Sequence, residues 1–372
     1  MIKVLYVIST LQRSGPVNML FNLVKYLDRE FFEPVILTLS KEPRDSALVD
    51  FSQIGIKVLS LNFSRIAGLF LAPSLLKKKV DSISPNIVHS QGIRADNLSA
   101  KYLTSYHRVS TLQNYPFYDY TAKFGKVKGK LIANIHLKII GRLPNKIACA
   151  KNLSLLYETK HNLQIPYIQN GVDKAMFLIA GEQHKASLRG KYSLPKSKKI
   201  FITVGNLIHR KDTETTIRAF MKSSAKKGGI LLVMGDGVES QKLHALAGGY
   251  ENIKFLGNIS NISQYKDYLQ VSDFLISASL AEGLPTAVME ALSCGLPCIL
   301  SNIEPHREIL AFDQKAGKLT PVGDIKKLAD AMDELAEMYY ESMSKAAVGI
   351  VHKHLSSQKM AEKYQDMYEK LI

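Results

Sequence analysis

Glu282 and Glu290 stand eight residues apart in the run Glu282-Gly283-Leu284-Pro285-Thr286-Ala287-Val288-Met289-Glu290-Ala291-Leu292. The preceding run, Asp273-Phe274-Leu275-Ile276-Ser277, is apolar and strand-like. The following run, Gly295-Leu296-Pro297-Cys298-Ile299-Leu300, reads as a turn and then another short strand. One carboxylate therefore falls in a strand-to-helix loop and the other on the helix. Pro285 suits the first helical position, where its missing N–H is not needed. The open N–H groups of that first turn attract an anion. A phosphate held there would have a carboxylate on each side, ready to accept hydrogen bonds from sugar hydroxyls. Two glutamates beside an apolar helix are also what a solvated edge looks like, so the rest of the chain must decide.

The first half alternates apolar strands with helical patterns. Strands are expected at Lys3–Ile8, Val35–Leu39, Val58–Leu61, Asn86–His89 and Lys146–Cys149, and helices at Val17–Leu27 and Leu75–Ile83. The pattern restarts at Lys199–Gly205. It continues through a helix at Thr213–Met221, a strand at Gly229–Gly235, a helix near Ser240–Ala247, a strand at Asn252–Leu256 and a helix at Ile262–Tyr268. Two such series predict two doubly wound α/β domains. The junction is placed at Asn170-Gly171, a turn signal within Pro166–Asp173. The expected domains are 1–168 and 169–354. Residues 355–372 form an amphipathic helix, with Met360, Tyr364, Met367, Tyr368 and Leu371 on one face, that returns to the first domain.

The chain has 372 residues and ordinary apolar content, and it contains no apolar run of membrane-spanning length. Its N-terminus reads as a buried strand and not as a signal peptide. Cys149, Cys294 and Cys298 make no disulfide framework or metal set, which points to a reducing cytoplasm. The net charge of +16 is uneven, since residues 1–170 hold 23 Lys and Arg against 10 Asp and Glu. No acid lies between Asp119 and Glu158. That stretch holds Lys123, Lys126, Lys128 and Lys130 among Leu131, Ile132, Ile135 and Ile139. A basic amphipathic segment of this kind suits an anionic membrane surface. Nucleic acid and simple solubility are the other readings, although few aromatic residues are available there for stacking on bases.

Further glycine- and charge-bearing motifs punctuate the second domain. They are Gly205-Asn206-Leu207-Ile208-His209-Arg210-Lys211-Asp212, Gly235-Asp236-Gly237, Phe255-Leu256-Gly257-Asn258 and Val322-Gly323-Asp324. In this order, with Glu282-Gly283-Leu284-Pro285, Glu290-Ala291-Leu292 and Gly295-Leu296-Pro297, they resemble the family 4 retaining glycosyltransferases. That family has a paired-glutamate E-x7-E motif and the GT-B fold. The resemblance spans nearly the whole chain and is strongest from Tyr167 to Ile309.

The resemblance implies two Rossmann-like domains facing each other across a cleft. It implies that Glu290 accepts hydrogen bonds from the donor's ribose and Glu282 from the transferred sugar. Gly283 and Leu284 would offer backbone N–H groups, with Pro285 and Thr286 beside them. Arg210 and Lys211 would neutralise the departing β-phosphate. Gly205, Asn206, Gly235 and Gly257 would complete the donor site, Gly257 lining the base pocket. Asn206 stands where the family commonly has arginine. Gly15, in Ser14-Gly15-Pro16, matches part of the family's glycine-rich loop beside the diphosphate and the acceptor. Ser14, His89, Gln91, Arg94, Asp96 and Gln113 are the acceptor-site candidates. His89-Ser90-Gln91 and Thr111-Leu112-Gln113 depart from the histidines common in relatives.

The expected reaction is transfer, with retention, of a hexose or N-acetylhexosamine from a nucleotide-diphosphate sugar to a glycan hydroxyl. A UDP-sugar is favoured over a GDP-sugar. The acceptor is expected to be lipid-linked, in surface polysaccharide synthesis on the inner face of the cytoplasmic membrane. No Asp-x-Asp occurs, so no metal is signalled and no cofactor beyond the co-substrate is expected. A nucleotide-sugar 2-epimerase is the alternative, and a basic nucleic-acid-binding protein the reading from another class.

Overall fold

In a computed structural model, residues 1–63, 72–338 and 340–372 are described. The chain divides into two units, one of residues 1–171 and 357–372, the other of residues 172–356.

The first unit holds a six-stranded parallel sheet in the order β3-β2-β1-β4-β5-β6. Its strands are β1 (Ile2–Ile8), β2 (Phe32–Ser40), β3 (Lys57–Phe63), β4 (Ile87–Gln91), β5 (His107–Leu112) and β6 (Asn145–Ala148). β1 reads as an unbroken apolar run because helices cover both faces, and Val4 to Val7 are almost wholly buried. One face packs Val4, Tyr6 and Ile8 against Leu20, Leu23 and Val24 of the helix Gly15–Lys25. The other packs Leu5 and Val7 against Leu76, Val80 and Leu98.

The helix Ser357–Glu369 closes this unit with the face expected from its period. Met360, Tyr364 and Tyr368 are buried in the first core, and Met367 and Leu371 pack against it. Four hydroxyls and an imidazole tie it down. Tyr368 OH meets Tyr6 OH at 3.1 Å and His89 Nδ1 at 2.6 Å; Thr111 Oγ1 meets His89 Nε2 and Tyr364 OH, each at 2.8 Å. A buried polar group costs stability unless paired, and here every tyrosine hydroxyl on the inner face of this helix has a partner.

The second unit repeats the plan in the order β12-β11-β10-β7-β8-β9. Its strands are β7 (Lys199–Val204), β8 (Gly229–Met234), β9 (Ile253–Gly257), β10 (Phe274–Ser277), β11 (Cys298–Ser301) and β12 (Gly317–Thr320). Phe201, Leu231, Val233, Phe274, Ile276 and Ile299 build its core. In each sheet the order reverses once, between β1 and β4 in the first and between β7 and β10 in the second. The two loops leaving the carboxyl ends of such a strand pair splay apart, and the gap between them is where ligands enter this architecture.

The sequence reading missed several elements. β5, β12 and the helices Ile93–Tyr102, Pro116–Phe124 and Ile325–Glu337 are among them. β12 is four residues long and half-polar, too short for its alternation to register. Pro285 differs by one position: its extended ψ of 107° makes it the N-cap, and the helix starts at Thr286.

Candidate functional site

In the second unit, the loops at the switch point carry the charged residues. After β7 the chain runs through Gly205 to a 3₁₀ turn, His209–Lys211, and Asp212 then caps the helix Thr213–Lys222 by accepting from Thr215 N–H. After β10 it runs through Ala278 to Glu282 and enters the helix Thr286–Ser293 at Pro285. A backbone bond from Leu280 N–H to Arg210 C=O, 2.8 Å, ties the two loops together.

This brings Arg210, Lys211 and Glu282 into one cluster. Lys211 Nζ donates to Glu282 Oε1 at 2.6 Å, and Arg210 Nη1 donates to Oε2 at 2.8 Å. Arg210 Nη1 also reaches Ala281 C=O at 2.7 Å. The Glu282 side chain is only 7% exposed, the two cations 22% and 20%. Burial alone would push the carboxyl up, but Lys211 and Arg210 over-compensate and hold it down to about 2. The cluster thus carries one net positive charge on two cationic heads that still reach solvent.

The floor under Lys211 is backbone. Gly235 has φ +136°, and a Cβ there would come within 1.9 Å of Gly205 C=O. No side chain fits where these two loops cross. Gly235 N–H in turn donates to Gly257 C=O at 2.9 Å, so Gly205, Gly235 and Gly257 form one continuous ledge at the carboxyl edge of β7, β8 and β9. Asn206 is exposed beside it, and its carbonyl accepts from Ile208 N–H.

Glu290 lies on the helix Thr286–Ser293 and is buried. Its Oε2 accepts from Tyr265 OH at 2.5 Å. Burial pushes its carboxyl up to about 7, with the tyrosine bond pulling the other way. The two glutamates thus sit in opposite electrostatic environments: Glu282 is charged and paired with cations, whereas Glu290 has, among the described residues, no cation beside it and is paired with a phenol. Gly283 and Leu284 follow Glu282, Leu284 buried, and Thr286 opens the helix.

A polar chain behind Glu282 was not foreseen. Ser279 is hydrogen-bonded to the Glu282 carboxylate, and Ser279 C=O accepts from Ser301 Oγ at 2.5 Å. His306 Nδ1 lies 2.8 Å from Ser301 C=O. A carbonyl only accepts, so Nδ1 carries the proton and Nε2 faces Ser277 Oγ at 3.5 Å. Burial holds His306 down to about 4, which keeps the ring neutral. The available signal was a histidine at helical spacing from Ile309 and Leu310, on the buried face of the helix Glu304–Leu310.

In the first unit, the loops after β1, β4 and β5 enclose a cavity of 320 Å³. Ser14, Gln91, Asp96 and Gln113 all line it, so four of the six acceptor candidates share one pocket. Gly15 opens the adjoining helix, while Ser14 Oγ turns back to Gln12 C=O instead of capping it. Gln91 Nε2 donates to Pro16 C=O, and Gln113 Oε1 accepts from Asn170 Nδ2.

Asp96 is wholly buried and accepts from Ser90 Oγ and Ser110 Oγ, each at 2.7 Å. Its other oxygen lies 3.2 Å from His136 Nε2, and His136 Nδ1 lies 3.0 Å from Tyr120 OH. Burial raises the Tyr120 hydroxyl well above its ordinary range. Tyr120 and His136 also line the cavity and were not foreseen. The available signal was His136 at helical spacing from Gly129, Ala133 and Ile140, a polar residue on the buried face of the helix Lys126–Gly141.

The two remaining candidates lie elsewhere. His89 is 3% exposed, has both ring nitrogens engaged as described above, and is held down to about 3 by burial. Arg94 lies in a second cavity, where Nη1 donates to Ser40 Oγ at 2.6 Å.

The basic segment forms two helices, Pro116–Phe124 and Lys126–Gly141, packed closely enough that a Cβ at Gly129 would strike the backbone of Tyr120 and Thr121. Ala133, His136 and Ile140 face inward. Val127, Leu131 and Ile135, spaced by one turn, face out and are 87%, 63% and 48% exposed. Lys123, Lys126, Lys128 and Lys130 are exposed around them. Among the described residues no helix is long and apolar enough to cross a membrane, and no cluster of His, Cys, Asp and Glu is placed to hold a metal ion.

Residues 184–348 match the glycosyl transferases group 1 family, and they include the whole Arg210–Lys211–Glu282–Glu290 set. The chain is 25% identical over 379 aligned residues to the O-antigen biosynthesis glycosyltransferase WclY of Escherichia coli, covering 100% of this chain and 99% of that one. It is 26% identical over 231 residues to the N-acetyl-alpha-D-glucosaminyl L-malate synthase of Bacillus anthracis, covering 60% of this chain and 59% of that one. Among solved structures it superposes on Anabaena HepE, determined in complex with UDP-glucose, with a TM-score of 0.83 at 15% identity, covering both chains fully. The chain is a glycosyltransferase with the GT-B fold, and its second unit carries the match to the group 1 family.

Proposed function

We propose that the chain transfers a hexose or N-acetylhexosamine from a UDP-sugar to a hydroxyl of a lipid-linked glycan during surface polysaccharide synthesis. The observation that carries this reading is the Arg210–Lys211–Glu282 cluster at the switch point of the second sheet. Its two cations share one carboxylate, which leaves net positive charge for a diphosphate. In the reaction, the bond from the anomeric carbon to the diphosphate breaks and a bond to the acceptor oxygen forms on the same face. The acceptor's proton passes to the departing phosphate oxygen. Arg210 and Lys211 stabilise the charge that develops there, a contribution of about 3 kcal/mol for one well-placed donor. Glu282 accepts from hydroxyls of the transferred sugar and Glu290 from the ribose, while Gly283, Leu284 and Thr286 present N–H groups to the diphosphate. The backbone ledge of Gly205, Gly235 and Gly257 receives the base, with Asn206 at its rim. In the first unit, Ser14, Gln91, Asp96 and Gln113 receive the acceptor in their pocket, beside the helix that Gly15 opens. No step of this reading uses a metal.

The nucleotide-sugar complex of HepE supports a UDP donor, and the O-antigen role of WclY supports a glycan acceptor. The helix Lys126–Gly141 would rest on the inner face of the cytoplasmic membrane. Its Val127–Leu131–Ile135 stripe would enter the lipid, and its lysines would face anionic headgroups, each worth about 1 kcal/mol.

A thermal-shift screen against nucleoside diphosphates and their sugars tests the donor, since a ligand that binds only the folded state raises Tm. UDP and UDP-sugars should stand out, and a response to GDP alone would overturn the base. Incubating each UDP-sugar without acceptor tests the chemistry: rapid conversion to its 2-epimer would replace the transferase reading with the epimerase one.

A further inference from the structure

Beside the acceptor pocket the first unit holds a second, larger cavity of 900 Å³. Lys41, Arg94, Lys101 and Lys123 line it, and among the described residues no acidic one does. The four come from separate places: the end of β2, the first and last turns of the helix Ile93–Tyr102, and the end of the helix Pro116–Phe124. Glu42, next to Lys41 in sequence, is turned to the Leu11 N–H and the Ser46 hydroxyl. The Arg94 guanidinium is oriented by its bond to Ser40 Oγ, 2.6 Å. The remaining wall includes apolar surface from Phe63, Pro73 and Leu98. Ser9, Thr10 and Gln12 line both cavities, so the two share one wall.

We propose that this basic cavity is a diphosphate subsite, holding the diphosphate that joins the acceptor glycan to its lipid while the acceptor hydroxyl lies in the adjoining pocket. The proposal rests on the glycosyl-acceptor reading above. A diphosphate diester carries two negative charges on a compact, multi-oxygen group, and converging cationic donors bind such a group through charge-assisted hydrogen bonds. The apolar wall suits the first isoprene units beyond it. The grouping of four cations around one cavity distinguishes this site from the lysines of the helix Lys126–Gly141, which surround an exposed apolar stripe and suit a flat headgroup surface.

Farnesyl diphosphate is a probe that carries the diphosphate as its monoester, with a short isoprenoid tail. Its binding to the full chain would be measured by calorimetry, with and without saturating UDP, together with a Lys41→Ala/Lys101→Ala variant. Both residues are exposed, and UDP binding by the variant serves as the check that it is folded. The expected result is one probe per chain, retained in UDP, with affinity at least about tenfold lower in the variant, as loss of charge-assisted bonds would give. Farnesol should not compete. Displacement of the probe by UDP, or equal affinity in the variant, would overturn the proposal. So would a variant that loses co-sedimentation with phosphatidylglycerol vesicles yet binds the probe as before, since that pattern means a lipid surface. If UDP fails to bind the unaltered chain, the donor reading is at fault, and the probe arm without UDP still reads this cavity.

Discussion

The carboxylate of Glu282 lies 2.6 Å from the ammonium of Lys211. With Arg210 on its other oxygen, this carboxylate is the counter-charge of both cations. On the proposed reading, a diphosphate would compete with Glu282 for the same two cations. Glu282→Gln should therefore bind UDP at least as tightly as the unaltered chain while losing transfer by about 100-fold or more, the scale of a lost transition-state contact. Leaving two half-buried cations without their partner should also lower stability by about 3–5 kcal/mol. Calorimetry with UDP, alongside a transfer assay, separates the effects; UDP binding weakened by the substitution would show that Glu282 grips the nucleotide itself.

Glu290 sets a pH dependence. Its carboxyl is raised to about 7, so below that pH it is mainly protonated and a poorer acceptor for ribose hydroxyls. Affinity for a nucleotide sugar, whose diester phosphates do not titrate in this range, should fall by up to about tenfold per unit as pH drops from 7 toward 5. Above 7 it should be flat. Glu290→Gln should remove the slope and lower the affinity at pH 8. A slope that survives in that variant would assign the titration to another group.

Gly235 allows no substitute. The Gly235→Ala methyl would drive into Gly205 C=O, and the backbone is in a region that L side chains rarely adopt. The variant should lose about 2 kcal/mol or more, through the clash and the strained backbone together. The damage should be confined to residues 172–356, and hydrogen exchange would show faster opening of β7 and β8 with β1 unchanged. Unaltered exchange in the second unit would mean that the loop crossing is more pliable than its geometry implies.

The stripe on the helix Lys126–Gly141 makes a separable prediction. Leu131→Ser with Ile135→Ser changes exposed side chains, so Tm should move little. Binding to phosphatidylglycerol vesicles should fall about tenfold or more, as expected for removing two partly inserted aliphatic side chains. Replacing Lys126, Lys128 and Lys130 by Gln should weaken the same binding in a salt-dependent way. Vesicle binding that both sets of changes leave intact would place the membrane face elsewhere.

The sequence carried the strand-helix alternation and the motifs that hold Arg210, Lys211 and Glu282 well, because both are local. Glu282, Arg210 and Lys211 are read from the ends of apolar runs, and the switch point then brings those ends together. His89 shows what local reading lacks: its partner Tyr368 lies 279 residues away, so nothing near β4 announces that the imidazole is built into the core. His136 and Asp96 are 40 residues apart, and neither is notable until one helix face and one sheet edge are known. The basic cavity is invisible for the same reason, since its four cations share no sequence spacing.

The Tyr6–Tyr368–His89 bonds also fix an order of events during synthesis. Residues 172–356 are continuous, and that unit has all its strands once the ribosome has passed them. The first unit has its six strands far earlier, but Tyr6, His89 and Thr111 then face a gap that only residues 357–372 fill. The domain translated first is therefore the one finished last, and it waits with its polar floor open until residues 357–372 have been made.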